Sequence, residues 1–358
     1  MRVALIGFGR IGRAIFRINH ARRRFDIVAI NDINPDINNI AYLAKYDSTY
    51  GRFAEPVSVD GDDLVVNGTR SRVFHHADMR QLPWDDLGVD MVIDASGVHD
   101  NVLAAHDLVR GSIRKVVITH APDEVDHTIV LGANEDTYDP AVHHVVSSSI
   151  CDTVAVAPVL RKIDDTFGLD SGFLTTLHPW LAYQNLLDGP SVSWAQPGTI
   201  YSHYAIGRSS PGTLIPKPTS AIDATSRVLP QIAARMQCMS FRVPTQTVGA
   251  ANLCLNLKSA ATVADIATLF DAAERAQSWP LIHNNREPLV SVDFAGTEYS
   301  AVVDHRWTAV FGPRQVYLVI WYDNEWGYSS RVVDVAAFMA AQEGVSTATS
   351  AVRAVQGV

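Results

Sequence analysis

The chain has 358 residues, 47% of them hydrophobic and 19% charged, a balance that fits a globular protein and excludes an extended disordered one. At this length about two domains are expected. A formal charge of −9 offers phosphate backbones no electrostatic footing, which excludes nucleic acid as a main partner, and no apolar run is long enough to span a bilayer.

Taken in chain order, Val3–Ile6 is a short apolar run, followed by GFGRIG and then the helical pattern GRAIFRINHARR. This is strand, tight turn, helix. Gly7 permits the turn, Gly9 lets backbone approach a pyrophosphate, and Gly12 lets helix and strand pack closely, while the helix N-terminus attracts phosphate. A second strand, FDIVAIND, ends in Asp32, 20 residues after Gly12. A carboxylate there accepts hydrogen bonds from a ribose and repels a 2′-phosphate, so NAD is expected rather than NADP.

Between Leu43 and Gly88 the pattern gives short β-like pieces, read as an insertion on the sheet edge, with His75 and His76 as strand residues. Further strands are predicted at Asp90–Ala95, Lys115–Thr119 and Thr128–Leu131, with a helix near Asn101–Arg110. Alternating strands and helices imply a doubly wound parallel sheet of the Rossmann type. None of the 13 histidines lies in an HExxH or comparable ligand pattern, so no metal is expected.

The stretch SSSICDTVAVAP places Cys151 at the start of a predicted helix running to about Asp165. Unpaired N–H groups in a first helical turn favour thiolate over thiol, which makes Cys151 the candidate nucleophile. The strand GFLTTLH then ends in His178, whose imidazole suits proton transfer near neutrality. Downstream, MSFRVPTQTVGAANLCLNLK reads as one long extended stretch and VADIATLFDAAERA as a helix. LVSVDF, SAVVD and QVYLVIWYD read as strands. This order predicts a mostly antiparallel α+β domain. The boundaries expected are 1–150, 151–324, a helix at 325–342 returning to the first domain, and a frayed tail at 343–358. The opening MRVALIGFGRIG carries no separate cleavage region, and Cys151, Cys238 and Cys254 are too few and too irregular for a disulfide framework. A cytoplasmic location is expected.

With GFGRIG, AIND, SSSICDT, TTLH, SFRVPT and WYDNEWGYSSRVVD all present, the chain resembles the phosphorylating glyceraldehyde-3-phosphate dehydrogenase family from residue 1 to about 340. LAKYDSTYGRF and LPWDDLGVD are also similar to its erythrose-4-phosphate dehydrogenase branch. The resemblance implies a homotetramer of two-domain subunits. It also implies an NAD site formed by Gly7, Gly9, Arg10, Ile11, Gly12, Asp32, Ser96 and Thr119, with Asn324 at the carboxamide and Tyr328 near the ring. Cys151 would attack an aldehyde, His178 would act as base, and a thioester would follow.

The chain also departs from that family. Where the family shows SCTTN, this sequence has Asp152 after the cysteine, placing a carboxylate where phosphate would approach; unit charges about 4 Å apart repel by roughly 1–4 kcal/mol. Leu181 and Tyr183 stand in the substrate-phosphate positions, Ile206 replaces a phosphate-binding arginine, and no Lys or Arg occurs from Pro179 to Gly207. Trp180, Tyr183, Trp194, Tyr201 and Tyr204 fill that loop instead. Arg242 and Thr219 remain as matches to substrate-binding residues, with Asp152 beside them. The reading is an NAD-dependent aldehyde dehydrogenase with a less anionic, more apolar substrate and either inorganic phosphate or water as acyl acceptor. Lys217, Arg208 and Arg242 serving phosphate is the competing expectation. The rival from another class is a non-catalytic NAD-binding redox sensor or scaffold.

Overall fold

The computed structural model describes residues 1–344 except Trp194. Its first sheet has nine strands. They are β1 (Arg2–Ile6), β2 (Asp26–Asn31), β3 (Val57–Asp60), β4 (Asp63–Val66), β5 (Thr69–Phe74), β6 (Met91–Asp94), β7 (Lys115–Ile118), β8 (His127–Thr128) and β9 (Val145–Ser147), in the order β3-β4-β5-β2-β1-β6-β7-β9-β8. Strands β5-β2-β1-β6-β7-β9 run parallel. The pieces between Leu43 and Gly88 extend the edge as an antiparallel meander, as expected of an insertion. Central strands β1, β6 and β7 are buried almost throughout, which is why they read as unbroken apolar runs rather than alternating ones. Helices α1 (Arg10–Arg22), α2 (Ile37–Lys45) and α3 (His99–Leu108) accompany this sheet.

Helix α4 (Cys151–Phe167) leaves the first sheet just after β9 and packs on the second. That sheet is built from β10 (Leu169–Pro179), β11 (Ile215–Lys217), β12 (Met236–Val243), β13 (Gly249–Leu257), β14 (Ile282–Asn285), β15 (Ala301–Asp304), β16 (Ala309–Phe311) and β17 (Gln315–Tyr322). Its pairings are antiparallel except β10 with β12 and β14 with β15. The α5 (Ala221–Ser226), α6 (Pro230–Ala233) and α7 (Val263–Ala276) helices lie within this half, α7 opening with a Thr262–Asp265 capping box. Helix α8 (Trp326–Gln342) returns to pack on α1, with Arg22 paired to Asp334.

Four local expectations are corrected. LVSVDF is not a strand: Ser291–Phe294 forms a 3-10 turn because the Asp293 carboxylate accepts the Val290 N–H at 2.7 Å. The run Thr128–Leu131 is strand only at His127–Thr128. Beyond it, the Asn134 side chain accepts from Val130 N–H and donates to the Thr128 carbonyl, each at 2.8 Å, and bends the chain into a buried turn. MSFRVPTQTVGAANLCLNLK is two strands, interrupted where Pro244 lacks a donor and Val248 takes a positive φ of 67°. His75 and His76 lie just past the end of β5. Of the expected tail, residues 345–358 lie outside the described residues.

Candidate active site

Gly7, Asp32, Ser96 and Thr119 follow the C-terminal ends of the parallel strands β1, β2, β6 and β7, the end at which open α/β sheets bind ligands. Gly7 follows β1 with φ of 80°, and a Cβ there would lie 2.6 Å from the Ser96 backbone. A Cβ at Gly12 would lie 2.0 Å from the Gly7 carbonyl oxygen, so the α1 helix sits against the turn only because both residues are glycine. At Gly9 a Cβ would meet nothing within 4 Å, leaving an open backbone face at the N-terminus of α1, where Arg10 and Ile11 begin the helix. Asp32 accepts the Phe8 N–H at 2.6 Å and the Asn34 N–H at 2.8 Å, which pins its carboxylate beside that turn. Ser96 Oγ accepts from Val98 N–H and Asn101 Nδ2, and Thr119 N–H donates to the Asp94 carbonyl, so both sit at the same rim. A glycine cradle open at Gly9 with a fixed carboxylate at its side fits the pyrophosphate and ribose of NAD.

The Arg10 side chain does not point into this cradle. Its guanidinium pairs with Asp47 and with Glu325, the Nε to Glu325 oxygens being 3.0 Å. Only the Arg10 backbone is positioned for phosphate. Asn324 is buried, and its Oδ1 accepts the Val248 N–H at 3.1 Å, which orients the side-chain amide. The Tyr328 hydroxyl donates to the Ser149 carbonyl at 2.9 Å and lies 3.0 Å from Ser148 Oγ, tying α8 to the segment that delivers Cys151.

Cys151 is the first residue of α4, as expected from sequence, and follows Ser149, whose φ of 61° is left-handed. Such a conformation in a serine is strained and is held here by the Tyr328 and Ser147 contacts. His178 ends β10. Its Nε2 lies 3.5 Å from Cys151 Sγ, and its Nδ1 lies 2.7 Å from the Pro179 carbonyl. Because a carbonyl only accepts, Nδ1 carries the hydrogen and the Nε2 lone pair faces sulfur.

The electrostatics differ from the sequence argument. A helix start favours thiolate, but burial, with the Asp152 charge next, pushes the Cys151 thiol well up; Arg242 opposes this. Burial, then Arg242, lowers His178 to about 4. Burial thus disfavours the charged form of both groups and opposes a thiolate–imidazolium ion pair.

Asp152 is buried. Tyr322 donates to its Oδ1 at 2.6 Å and Thr219 to its Oδ2 at 3.4 Å, and Oδ1 lies 3.7 Å from Cys151 Sγ and 4.0 Å from His178 Nε2. Arg242 stands beside His178 on β12, in register with it, and its Nη2 donates to the Tyr183 hydroxyl at 3.3 Å. Its buried Nε has no partner among the described residues. Lys217 completes the cluster: burial, then Arg242, lowers its ammonium to about 8, with Asp152 and Cys151 close enough to act in the other direction. Arg208 is exposed and paired to Asp188 at 2.8 Å. Ile206 is buried, and Tyr183 and Tyr201 pack ring to ring at 5.2 Å in the aromatic loop. Trp194 lies outside the described residues.

The structure thus brings Cys151, Asp152, His178, Thr219 and Arg242 together and adds Tyr322, which sequence reasoning did not single out. Its signal is weak: one tyrosine inside the WYDNEWGY segment, distinguishable only once β17 is seen to end against α4.

Two family descriptions match the chain: Glyceraldehyde 3-phosphate dehydrogenase, NAD binding domain, over residues 1–102, and Glyceraldehyde 3-phosphate dehydrogenase, C-terminal domain, over residues 150–324. Among similar proteins, a glyceraldehyde-3-phosphate dehydrogenase of Eremothecium gossypii is 38% identical over 95% of this chain and 99% of its own. A glyceraldehyde-3-phosphate dehydrogenase 1 of Kluyveromyces marxianus is 38% identical over 94% and 99%, and a glyceraldehyde-3-phosphate dehydrogenase of Geobacillus stearothermophilus is 36% identical over 96% and 99%. Both halves of the chain, with the Cys151–His178 pair lying between a dinucleotide cradle and an antiparallel sheet, therefore belong to the glyceraldehyde-3-phosphate dehydrogenase family, and the chain is an NAD-dependent dehydrogenase of that type.

Proposed function

We propose that the chain oxidises an aldehyde through a covalent adduct on Cys151 and releases the product as a free acid, with water as acyl acceptor. The observation that carries the second half is the Asp152 carboxylate 3.7 Å from Cys151 Sγ, where an incoming phosphate dianion meets a like charge. Cys151 sulfur bonds the carbonyl carbon while its proton moves to His178 Nε2, so charge develops only as the bond forms. His178 returns that proton to the forming alkoxide to give the hemithioacetal hydroxyl, takes it back as the C–H electrons depart, and releases it to solvent before hydrolysis. When bound, NAD would supply the two-electron acceptor, and the Gly7–Gly12 turn, the Arg10 and Ile11 backbone, Asp32, Ser96, Thr119 and Asn324 would hold it, with Tyr328 near the ring. Asp152 or His178 then deprotonates the water that cleaves the thioester.

Arg242 and Lys217 support a second reading in which the aldehyde carries one phosphate, as glyceraldehyde 3-phosphate and erythrose 4-phosphate do. The two separate sheets support a division into an NAD-binding unit over 1–150, to which α8 returns, and a catalytic unit over 151–324. A homotetramer is supported by the exposed apolar side chains of Leu186, Leu187, Tyr204 and Leu214 around the aromatic loop. A cytoplasmic location is supported by three free cysteines, and no helix among the described residues is long and apolar enough to cross a membrane.

The test is NADH production from phosphorylated and neutral aldehydes with and without phosphate or arsenate, with Cys151→Ser as control. Turnover unchanged by omitting phosphate is expected; turnover that rises in proportion to phosphate would overturn the hydrolytic reading.

A further inference from the structure

Three side chains at the nucleophile form a compact triangle. Cys151 Sγ to His178 Nε2 is 3.5 Å, Cys151 Sγ to Asp152 Oδ1 is 3.7 Å, and His178 Nε2 to Asp152 Oδ1 is 4.0 Å. Zinc bound through sulfur at about 2.3 Å and through nitrogen and oxygen at about 2.1 Å, at tetrahedral angles, spaces its ligands roughly 3.4–3.6 Å apart. Two edges of the triangle already match, and the third needs to close by about half an ångström.

Each ligand is also held as a zinc ligand needs to be. The Pro179 carbonyl takes the Nδ1 hydrogen of His178, which fixes the tautomer whose Nε2 lone pair faces the triangle. Tyr322 occupies one lone pair of Asp152 Oδ1 at 2.6 Å and leaves the other directed toward sulfur and imidazole. Thiolate, carboxylate and neutral imidazole together cancel the charge of a dication. A buried site beside Arg242 and Lys217 would then hold a neutral complex rather than a dication, because the released thiol proton offsets part of the added charge. The ligand set of one soft sulfur, one imidazole and one carboxylate suits zinc rather than magnesium or calcium.

We propose that Cys151, Asp152 and His178 form a reversible zinc site that caps the nucleophile. Binding replaces the thiol proton with a Zn–S bond, releases that proton to solvent, and changes no oxidation state; a fourth coordination position is left for water. Asp152 is the residue that makes three ligands out of a catalytic pair. The inhibition this implies rests on the dehydrogenase reading above, whereas the binding does not.

The experiment uses the full chain, reduced and stripped of metal, with zinc chloride as the probe. One zinc per chain is expected by competition with a chromogenic chelator. Zinc should slow alkylation of Cys151 by tenfold or more, read by mass spectrometry, while Cys238 and Cys254 alkylate at unchanged rates. Asp152→Asn and Tyr322→Phe should each weaken zinc affinity about 10–100-fold, as loss of a ligand or of its orienting partner does. X-ray absorption of the unaltered protein should show one sulfur among nitrogen and oxygen neighbours, a readout independent of how the variants fold. A shell of two or more sulfurs, full affinity in Asp152→Asn, or no protection of Cys151 would overturn the site. Tight binding with protection of Cys151 but undiminished NADH production would uphold the site and count instead against Cys151 as nucleophile.

Discussion

Replacing Tyr322 with phenylalanine isolates the hydrogen bond on which the buried Asp152 carboxylate depends. The bond is 2.6 Å long, joins a phenol and a carboxylate that are 2% and 5% exposed, and is backed by the longer contacts from Thr219 at 3.4 Å and Cys151 Sγ at 3.7 Å. Phenylalanine keeps the ring body, so the apolar packing against Gly249 and α4 is retained and the loss is electrostatic. Hydrogen bonds to charged groups contribute about 1.5–3 kcal/mol, which sets the expected destabilisation. In an Asp152→Asn background the acceptor is a neutral amide, worth about 0.5–1.5 kcal/mol, so the two substitutions should couple by about 1 kcal/mol. Urea denaturation of the four proteins gives both quantities. A Tyr322→Phe cost below about 0.5 kcal/mol, or an equal cost in both backgrounds, would refute the claim that this phenol stabilises a buried negative charge.

Four further outcomes are expected. Gly12→Ala forces a Cβ to within 2.0 Å of the Gly7 carbonyl and should weaken NAD binding by about tenfold or more, equivalent to ~1.4 kcal/mol, measured by calorimetry. Gly249→Ala drives a Cβ to 2.6 Å from Tyr322 Cζ and should cost about 1–3 kcal/mol by overpacking in the same urea assay. Arg242→Gln should raise KM for a phosphorylated aldehyde well above its effect on a neutral one; equal effects on both would remove Arg242 from anion recognition. Asp94 is wholly buried and burial raises its carboxyl to about 6. The folded state therefore holds that proton more tightly than the unfolded state, and its stabilising effect, full below the unfolded value near 3.8, is lost as pH rises through about 6. Relative to Asp94→Asn, the unaltered chain should lose about 2 kcal/mol of stability between pH 4.5 and 7.5, and a difference independent of pH would refute it.

Much of this molecule is legible from sequence because its local signals and its packing agree. The turn at Gly7–Gly12 needs glycine for reasons visible in the spacing alone, and α7 runs from Val263 to Ala276 because its capping box and apolar period coincide. The failures share a cause. LVSVDF alternates like a strand, but a single carboxylate at Asp293 captures its backbone; a three-residue strand such as β9 is too short to show any period. Cys151 and His178 were recoverable from motif and element ends, while the direction of their titration was not. The sequence shows a helix N-terminus, but the burial that overrides it arises only when elements distant along the chain close over the start of α4. For the same reason a search for HExxH or CxxC spacings passes over Cys151, Asp152 and His178, whose proximity is created by β10 folding back beside α4.

The pairing of α8 with α1 has a consequence for how the chain is made. Arg10 meets Glu325, Arg22 meets Asp334, and the apolar face formed by Val332, Val333 and Ala336 is buried in the same core as Ile15 and Ile18. During synthesis the dinucleotide turn emerges first, yet its helix keeps an uncovered side, and Arg10 lacks its Glu325 partner, until some three hundred further residues have left the ribosome. The earliest part of the protein to be translated is thus among the last to be completed, and a stop just before Glu325 would leave the glycine turn intact in sequence while removing the helix that covers α1.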